Sequence, residues 1–167
     1  MERRKPAREA PSDPATGGTE PFPWLPVLEM GHEDIDRDHR EAVEEGNRLV
    51  HLLNARESWT GMLALLRQAC DRSARHFETE DRILKRTRFP GADAHRRAHR
   101  RILAEFNAIL AELEIVTDPK PHHWERAHAP RHLLVDHCLR DDLKFKSHLM
   151  QAGQVKPDPA RIGPKRK

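Results

Sequence analysis

Helical periodicity is the feature that most constrains the fold of this chain. Apolar or small residues recur at steps of three and four along several long stretches, as they do on the buried face of an amphipathic helix. One such stripe consists of His95, His99, Ile102, Phe106, Ile109 and Leu113. Val, Ile and Thr never alternate with polar residues over a window long enough for a strand. The pattern therefore predicts an all-α protein.

Four helices are predicted between two tails. Their approximate limits are Asp34–Asn54, Ser58–Arg86, Pro90–Val116, and a fourth helix that follows the segment TDPKPHH and ends near Met150. Ser58 is a good N-cap for the second helix, whereas Pro130 either opens or kinks the fourth. Because the first two connections are short, neighbouring helices should be antiparallel. We expect an up-down-up-down antiparallel four-helix bundle.

The two ends of the chain differ in composition from its centre. Residues 1–23 and 152–167 are rich in proline, glycine and polar residues, so we expect a disordered N-terminal tail, a bundle over 24–151 and a disordered, basic C-terminal tail. The formal net charge is +3, and from residue 151 onwards the chain has five basic residues against one acidic. The rest of the chain is therefore close to −1, and we expect no nucleic-acid binding by the folded part.

Targeting signals are not evident in the sequence. No window approaches the roughly 18 apolar residues of a membrane helix, and the N-terminus lacks the apolar core of a signal peptide. Cys70 and Cys138 have no CxxC partner and are expected to be reduced thiols. These features predict a cytoplasmic protein without membrane insertion.

Polar side chains occupy positions where the periodicity calls for apolar ones. The inward-facing set is His39, His76, Glu80, His95, His99, His137 and Asp142. Each buried polar group would cost several kcal/mol, of the order of 2–7, if it stayed unpaired. Imidazole nitrogens and carboxylate oxygens that converge from four helices are suitable ligands for transition metals. Seven ligands are too many for one closed site and suit two ions bridged by carboxylates, with iron the first choice and manganese the second.

Four short motifs carry a resemblance to a known family. They are IDRDH (35–39), HFETE (76–80), HRRAH (95–99) and HCLRDD (137–142). Each motif alone is weak, since a histidine four residues from another ligand occurs by chance in any histidine-rich helix. All four in order resemble the hemerythrin family in its bacterial branch, over roughly residues 24–151.

The resemblance implies a non-haem di-iron centre. One iron would be bound by His95, His99 and His137, and the other, with an open position, by His39 and His76. Glu80 and Asp142 would bridge the two, together with an oxo or hydroxo group. Dioxygen would bind at the open iron as hydroperoxide, reversibly. Leu134 and Cys138 are candidates for the lining of the oxygen pocket.

Two functional classes remain open on such a centre. The first is a dioxygen-binding protein for carriage, storage or sensing, and the second is a redox protein that handles peroxide or nitric oxide or donates iron. No general acid or base stands out beyond the ligands, which favours reversible binding over enzymatic turnover. No protein partner is indicated.

Other histidine-containing pairs give weaker hypotheses. His128 and His132 are four residues apart and could form a further metal site, although Pro130 between them disfavours a regular helix. A ferritin-like di-iron site would need ExxH pairs on two helices. EMGH (29–32) and ERAH (125–128) have those letters but lie outside the apolar stripes, so we rank this alternative low.

Overall fold

The computed structural model describes residues 20–153, and within that range it contains helices and no strand, which confirms the all-α class. The α-helices are α1 (Glu33–Ala55), α2 (Trp59–Arg86), α3 (Ala92–Glu114), α4 (Pro121–Arg126), α5 (Ala129–His137) and α6 (Leu143–Gln151). A 3-10 turn, Pro26–Leu28, precedes α1, and a π-helical segment, Cys138–Asp142, joins α5 to α6. None of the helices described is both long and apolar enough to cross a membrane.

The three long helices lie within two residues of their predicted limits. Ser58 caps α2, as expected, because its hydroxyl oxygen accepts a hydrogen bond from the Gly61 amide at 3.0 Å. Arg56 ends α1 in the left-handed conformation, with φ of 51°, and its amide donates to the Leu52 carbonyl. The connection from α1 to α2 is therefore three residues long, and the two helices pack side by side.

The fourth predicted helix, which ends near Met150 as expected, is divided into shorter helical segments, and Pro130 opens one of them. Pro121, which we assigned to a chain break, is the first residue of α4, where a missing amide hydrogen costs nothing. Pro130 lies in the first turn of α5 for the same reason, and so it opens that helix. The fourth side of the molecule is consequently built from α4, α5, the π-helical segment and α6.

Two apolar clusters lie on either side of a polar centre. One contains Leu49, Leu53, Met62, Leu63, Leu66, Ile109, Leu113, Trp124 and Ala127. The other contains Met30, Ile35, Ile83, Leu84, Phe145 and Leu149. Each fully buried aliphatic or aromatic side chain contributes about 1.5–3 kcal/mol to folding. A third cluster, Cys70, Phe77, Ile102 and Phe106, contacts the histidines and carboxylates through Phe77, which stacks on His99.

The predicted tails are mostly outside the described residues, which exclude 1–19 and 154–167. Residues 20–23, at the end of the predicted N-terminal tail, contact the helices. The Glu20 carbonyl accepts a hydrogen bond from Arg131 of α5, and the Phe22 backbone bonds to Asn47 of α1.

Candidate metal centre

All seven predicted ligands are buried in the middle of the helical assembly. Their exposed fractions run from 0% for Glu80 to 8% for His76. They come from α1 (His39), α2 (His76 and Glu80), α3 (His95 and His99), the end of α5 (His137) and the end of the π-helical segment (Asp142). The structure therefore brings the whole predicted set to one place.

The donor atoms approach one another closely. Glu80 is central: its Oε2 lies 3.1 Å from His99 Nε2 and 3.3 Å from His95 Nε2, and its Oε1 lies 3.8 Å from His76 Nε2. The Asp142 carboxylate also lies close to two histidines. Its Oδ1 is 3.1 Å from His137 Nε2, and its Oδ2 is 3.6 Å from His39 Nε2. Both carboxylates thus lie between histidines from different helices.

Three overlapping sets of side chains have ligand atoms within 4.8 Å of one another. They are Glu80 with His95, His99 and His137; His39 with His76 and Glu80; and His39 with Cys138 and Asp142. The first two sets share Glu80, and the last two share His39. This overlap is the arrangement expected of two neighbouring ions with a common carboxylate ligand.

The π-helical segment explains how His137 and Asp142 face the same centre. Residues five apart on a regular α-helix differ in direction by about 140°, since each residue turns the chain by about 100°. A π-helical turn has wider i to i+5 spacing, which returns the fifth residue towards the face of the first. The segment Cys138–Asp142 spans the interval between these two ligands. π-Helical turns inside helices occur frequently at functional sites.

Sequence reasoning missed the groups that orient the histidines. His39 Nδ1 lies 2.9 Å from the Leu28 carbonyl oxygen, His99 Nδ1 lies 3.0 Å from Asp81, and His76 Nδ1 lies 3.3 Å from Asp38. Such contacts fix the ring orientation and leave Nε2 towards the centre. Asp38 lies on α1 and Asp81 on α2, whereas the rings they contact lie on α2 and α3, so the sequence held no local signal for these pairings.

Burial and charge shift the pKa values of the clustered groups. Burial lowers the pKa of His137, but its contacts with Asp142 and Glu80 outweigh burial and raise the pKa to about 10. Burial opposes ionisation of Glu80, yet the surrounding histidines, His76 foremost, hold the pKa of this carboxyl well below its usual value. The pKa of His99 is lowered, chiefly by burial.

The residues fit a metal pair. Several buried atoms make no well-oriented hydrogen bond: His39 Nε2, Glu80 Oε1 and both carboxylate oxygens of Asp142 at the centre, and His137 Nδ1, which faces Asp141 instead. Each such atom costs about 1–3 kcal/mol if it stays uncompensated. Metal ions would compensate the inward-facing ones directly. Imidazole and carboxylate donors without a thiolate in the main set suit iron or manganese better than a structural zinc.

Metal uptake is expected to release protons. At pH 7 the metal-free His137 is protonated, because its pKa is about 10, and only the neutral imidazole can bind a metal. Glu80 is already ionised and releases none. Adding Fe²⁺ anaerobically to metal-free protein in weak buffer should therefore release about one proton or more per chain, and the affinity should rise with pH.

The proton release is measured with a pH indicator, and its control is the same titration with Mg²⁺. Magnesium prefers oxygen ligands and should not be held by a site that is rich in imidazole. Iron uptake without proton release, or an iron affinity that falls as the pH rises, would contradict the assignment of His137.

The two predicted pocket residues lie beside the candidate centre. Leu134 and Cys138 both line an apolar cavity of about 80 Å³, together with His39, His76 and His137. The Cys138 thiol is half-buried and not in a disulfide. Burial, together with the charge of Asp142, raises its pKa well above the ordinary value, so the thiol stays protonated.

The alternative sites receive less support from the geometry. His128 and His132 do not belong to any metal-binding set found among residues 20–153, although both line a surface pocket near Trp124. Glu29 of the EMGH segment forms an ion pair with Arg40 at 2.8 Å and also stays outside those sets.

Comparisons with known proteins agree with this geometry. The family model described as "Hemerythrin HHE cation binding domain" matches residues 30–149. Two proteins named bacteriohemerythrin, from Campylobacter jejuni serotypes O:6 and O:2, are 29% identical over 85 residues, which cover 50% of this chain and 63% of theirs. A myohemerythrin from Riftia pachyptila is 22% identical over 129 residues, covering 77% of this chain and 94% of that protein.

The match to the bacteriohemerythrins is partial, since the chain spans less than two thirds of their length. No solved structure matches it significantly.

Proposed function

The chain belongs to the hemerythrin family, and from this premise we propose that it binds dioxygen reversibly at a non-haem di-iron centre. The observation that carries the proposal is the convergence of five imidazoles and two carboxylates at one buried point. Their donor atoms fall into overlapping sets around Glu80 and His39, as two neighbouring ions require. Carriage, storage and sensing of dioxygen all use this property.

Each proposed ligand has an assigned place. His95, His99 and His137 would hold one iron, and His39 and His76 would hold the other. Glu80 and Asp142 would bridge them. A ferrous iron pair held by these residues would supply the two electrons that reversible binding of dioxygen requires.

The chain's own residues keep the site dry and rigid. Phe77 stacks on the His99 ring, with centroids 4.0 Å apart and planes 9° from parallel. Phe145 is fully buried and packs against His95; it belongs to the apolar cluster that also contains Met30 and Leu149. Exclusion of water limits proton supply to the bound ligand, which favours its release over irreversible oxidation of the iron.

The acidic partners of the outer histidine nitrogens hold the rings in place. Asp38 and Asp81 accept from the outer Nδ1 atoms of His76 and His99, so that the Nε2 atoms point towards the position that a metal would occupy. The burial of His76 favours the neutral ring, whereas the charges of Glu80 and Asp38 raise its pKa above the ordinary value. A metal ion at this position would displace any proton held on the inward nitrogen of His76, as it would at His137.

The helix arrangement that supports this site is inferred to be up-down-up-down. Ile35, near the start of α1, packs with Ile83, near the end of α2, whereas Leu53 at the other end of α1 packs with Met62 at the start of α2. These pairings support antiparallel α1 and α2. We propose the same alternation for the later helices, a functional unit over 24–151 with terminal tails, and a cytoplasmic location.

A spectroscopic experiment tests the proposed function. The purified protein is loaded with Fe²⁺ under anaerobic conditions and then exposed to air while the visible spectrum is recorded. We expect an oxygen-dependent absorption band that disappears under vacuum and returns with air over repeated cycles, with two irons per chain.

A different outcome would favour the redox alternative. Rapid, irreversible conversion to the oxidised form in the first exposure would indicate a protein that turns over dioxygen or peroxide. The nearness of the Cys138 thiol to His39 and Asp142 makes this comparison informative, because a thiol can be oxidised at such a centre. Cys138→Ile should then slow that conversion.

A further inference from the structure

The apolar cavity extends well beyond the space beside the candidate ligands. Its lining includes His39 at one end of a run along α1, followed by Ala42, Val43, Gly46 and Leu49. From His39 to Gly46 is about two turns, or about 10 Å, along the helix axis. A diatomic ligand would occupy only a small part of that length. The cavity therefore has the form of a passage that leads away from the centre.

Small side chains create this passage. Ala42 and Gly46 lie four residues apart on the same face of α1, and Ala69 faces them from α2. A Cβ atom at Gly46 would have one neighbour within 4 Å, Arg131 Cγ at 3.9 Å. The Ser73 hydroxyl also lines the passage, but it donates to the Ala69 carbonyl at 2.8 Å. The charged side chains in the lining have partners too: Arg72 pairs with Glu45, and Asp38 with His76.

The N-terminal segment closes the outer part of the passage. Phe22 is half-buried and lines the cavity alongside Gly46 and Arg131. Its backbone is held from both directions by Asn47, whose Oδ1 accepts from the Phe22 amide at 2.7 Å and whose Nδ2 donates to the Phe22 carbonyl at 2.9 Å. The Arg131 guanidinium lies over the Phe22 ring at 5.9 Å and donates to the Glu20 carbonyl at 3.0 Å.

Phe22 fills a seam between helices. Helices α1 and α5 pack less closely on each other than α1 does on α2 or α3 does on α5. Asn47 belongs to α1 and Arg131 to α5, so the segment at 20–22 is attached to both sides of this seam. A short segment held by a few hydrogen bonds opens at a much lower free energy than the helices it covers.

We propose that Phe22 is the gate of an apolar entry passage that leads between α1 and α5 to the candidate metal centre. Opening requires the segment at 20–22 to leave Asn47 and Arg131, and closure restores a dry wall. The passage would admit small uncharged ligands such as dioxygen and would exclude ions. This inference rests on the proposed function for its ligand, but the gate itself can be tested without iron.

The first test uses the two cysteines of the metal-free protein. Cys138 lines the passage and Cys70 does not, so Cys70 is an internal control in the same molecule. Wild type and Phe22→Ala are treated with iodoacetamide at one alkaline pH, and the labelling rate of each cysteine is followed by peptide mass spectrometry. We expect Cys138 labelling to rise about tenfold in Phe22→Ala, with Cys70 unchanged, as removal of a local opening cost would produce.

Matched variants separate a gate from general loosening. Asn47→Ala, which releases the Phe22 backbone, should also accelerate Cys138 labelling. Trp24→Ala removes an aromatic ring from the same segment that stacks on Arg40 and does not line the cavity, so it should leave the rate unchanged. Gly46→Leu should fill the passage and slow labelling, whereas Gly46→Ala, whose Cβ fits, should not.

The contrary results are equally definite. Equal Cys138 labelling in wild type, Phe22→Ala and Asn47→Ala would overturn the gate, and so would a parallel rise at Cys70. In iron-loaded protein, stopped-flow mixing with dioxygen should give association rates in the same order as the labelling rates. If the labelling order holds but no variant shows an oxygen-dependent band, the gate stands and the proposed function fails.

Discussion

Glu80→Gln is expected to abolish the di-iron centre and leave the helices folded. The Glu80 carboxylate is fully buried, lies within 4.0 Å of four histidine Nε2 atoms, and is the one carboxylate shared by two of the three ligand sets found among the described residues. Glutamine has the same size, but it has one oxygen in place of two and no charge. Loss of a partner outside the ligand shell already costs about 10–100-fold in metal affinity, so loss of this ligand should cost at least about 100-fold.

Iron content and the oxygen-dependent band are the two measurements for this variant. We expect fewer than two irons per chain after gel filtration, and no band in air. Glu45→Gln is the matched control, because Glu45 is also a buried glutamate but pairs with Arg72 at 2.7 Å and belongs to no ligand set. That control should keep its iron even if it is less stable. Retention of two irons by Glu80→Gln would remove this residue from the centre.

Removal of iron is expected to lower the free energy of unfolding by at least about 4 kcal/mol. A ligand that binds only the folded state stabilises it by about 4.1 kcal/mol at a thousandfold excess over its dissociation constant. In this chain the effect would have a structural cause, since seven buried polar side chains would lose the proposed ions that compensate them. Urea unfolding of iron-loaded and chelator-treated protein, followed by circular dichroism, measures the difference.

The loss of stability on iron removal should be largest at the π-helical segment, which lies between the proposed ligands His137 and Asp142. Hydrogen exchange in the metal-free protein should increase most at Cys138–Asp142 and in the adjacent ends of α5 and α6. Glu80→Gln is again the informative control, because a variant without iron should respond little to the chelator. Identical unfolding curves for loaded and metal-free wild-type protein would show that the ions do not stabilise the fold.

Periodicity was sufficient to predict the three long helices and the polar positions inside them. The stripe from His95 to Leu113 is buried at every member, and the stripe of α2 places Ser73, His76 and Glu80 among buried residues. Histidines at apolar positions are a local signal, so they could be read without knowledge of the packing. The direction of each side chain then followed from the helix geometry alone.

The fourth side of the molecule could not be predicted in the same way. Two prolines each open a short helix there, and the choice between opening and kinking depends on neighbouring packing that periodicity does not contain. The interval of five residues between His137 and Asp142 did hold a signal. A regular α-helix does not direct both residues to one centre, so the interval could have indicated a π-helical turn, which the sequence analysis did not predict.

Long-range partners were also beyond the sequence. The attachment of Phe22 to Asn47 spans 25 residues, and the pairing of Asp38 with His76 spans 38. Neither contact leaves a periodic or compositional trace, because each depends on how two separate segments meet. Contacts such as those at His76 Nδ1 and at the Phe22 backbone can therefore be identified only in the folded structure.

Anomalous diffraction at the iron absorption edge, from crystals of the iron-loaded protein, tests the central claim most directly. The account predicts two iron peaks per chain. One peak should lie against His95, His99 and His137, the other against His39 and His76, with Glu80 and Asp142 between them. A single peak, a zinc signal in place of iron, or a peak between His128 and His132 would contradict it.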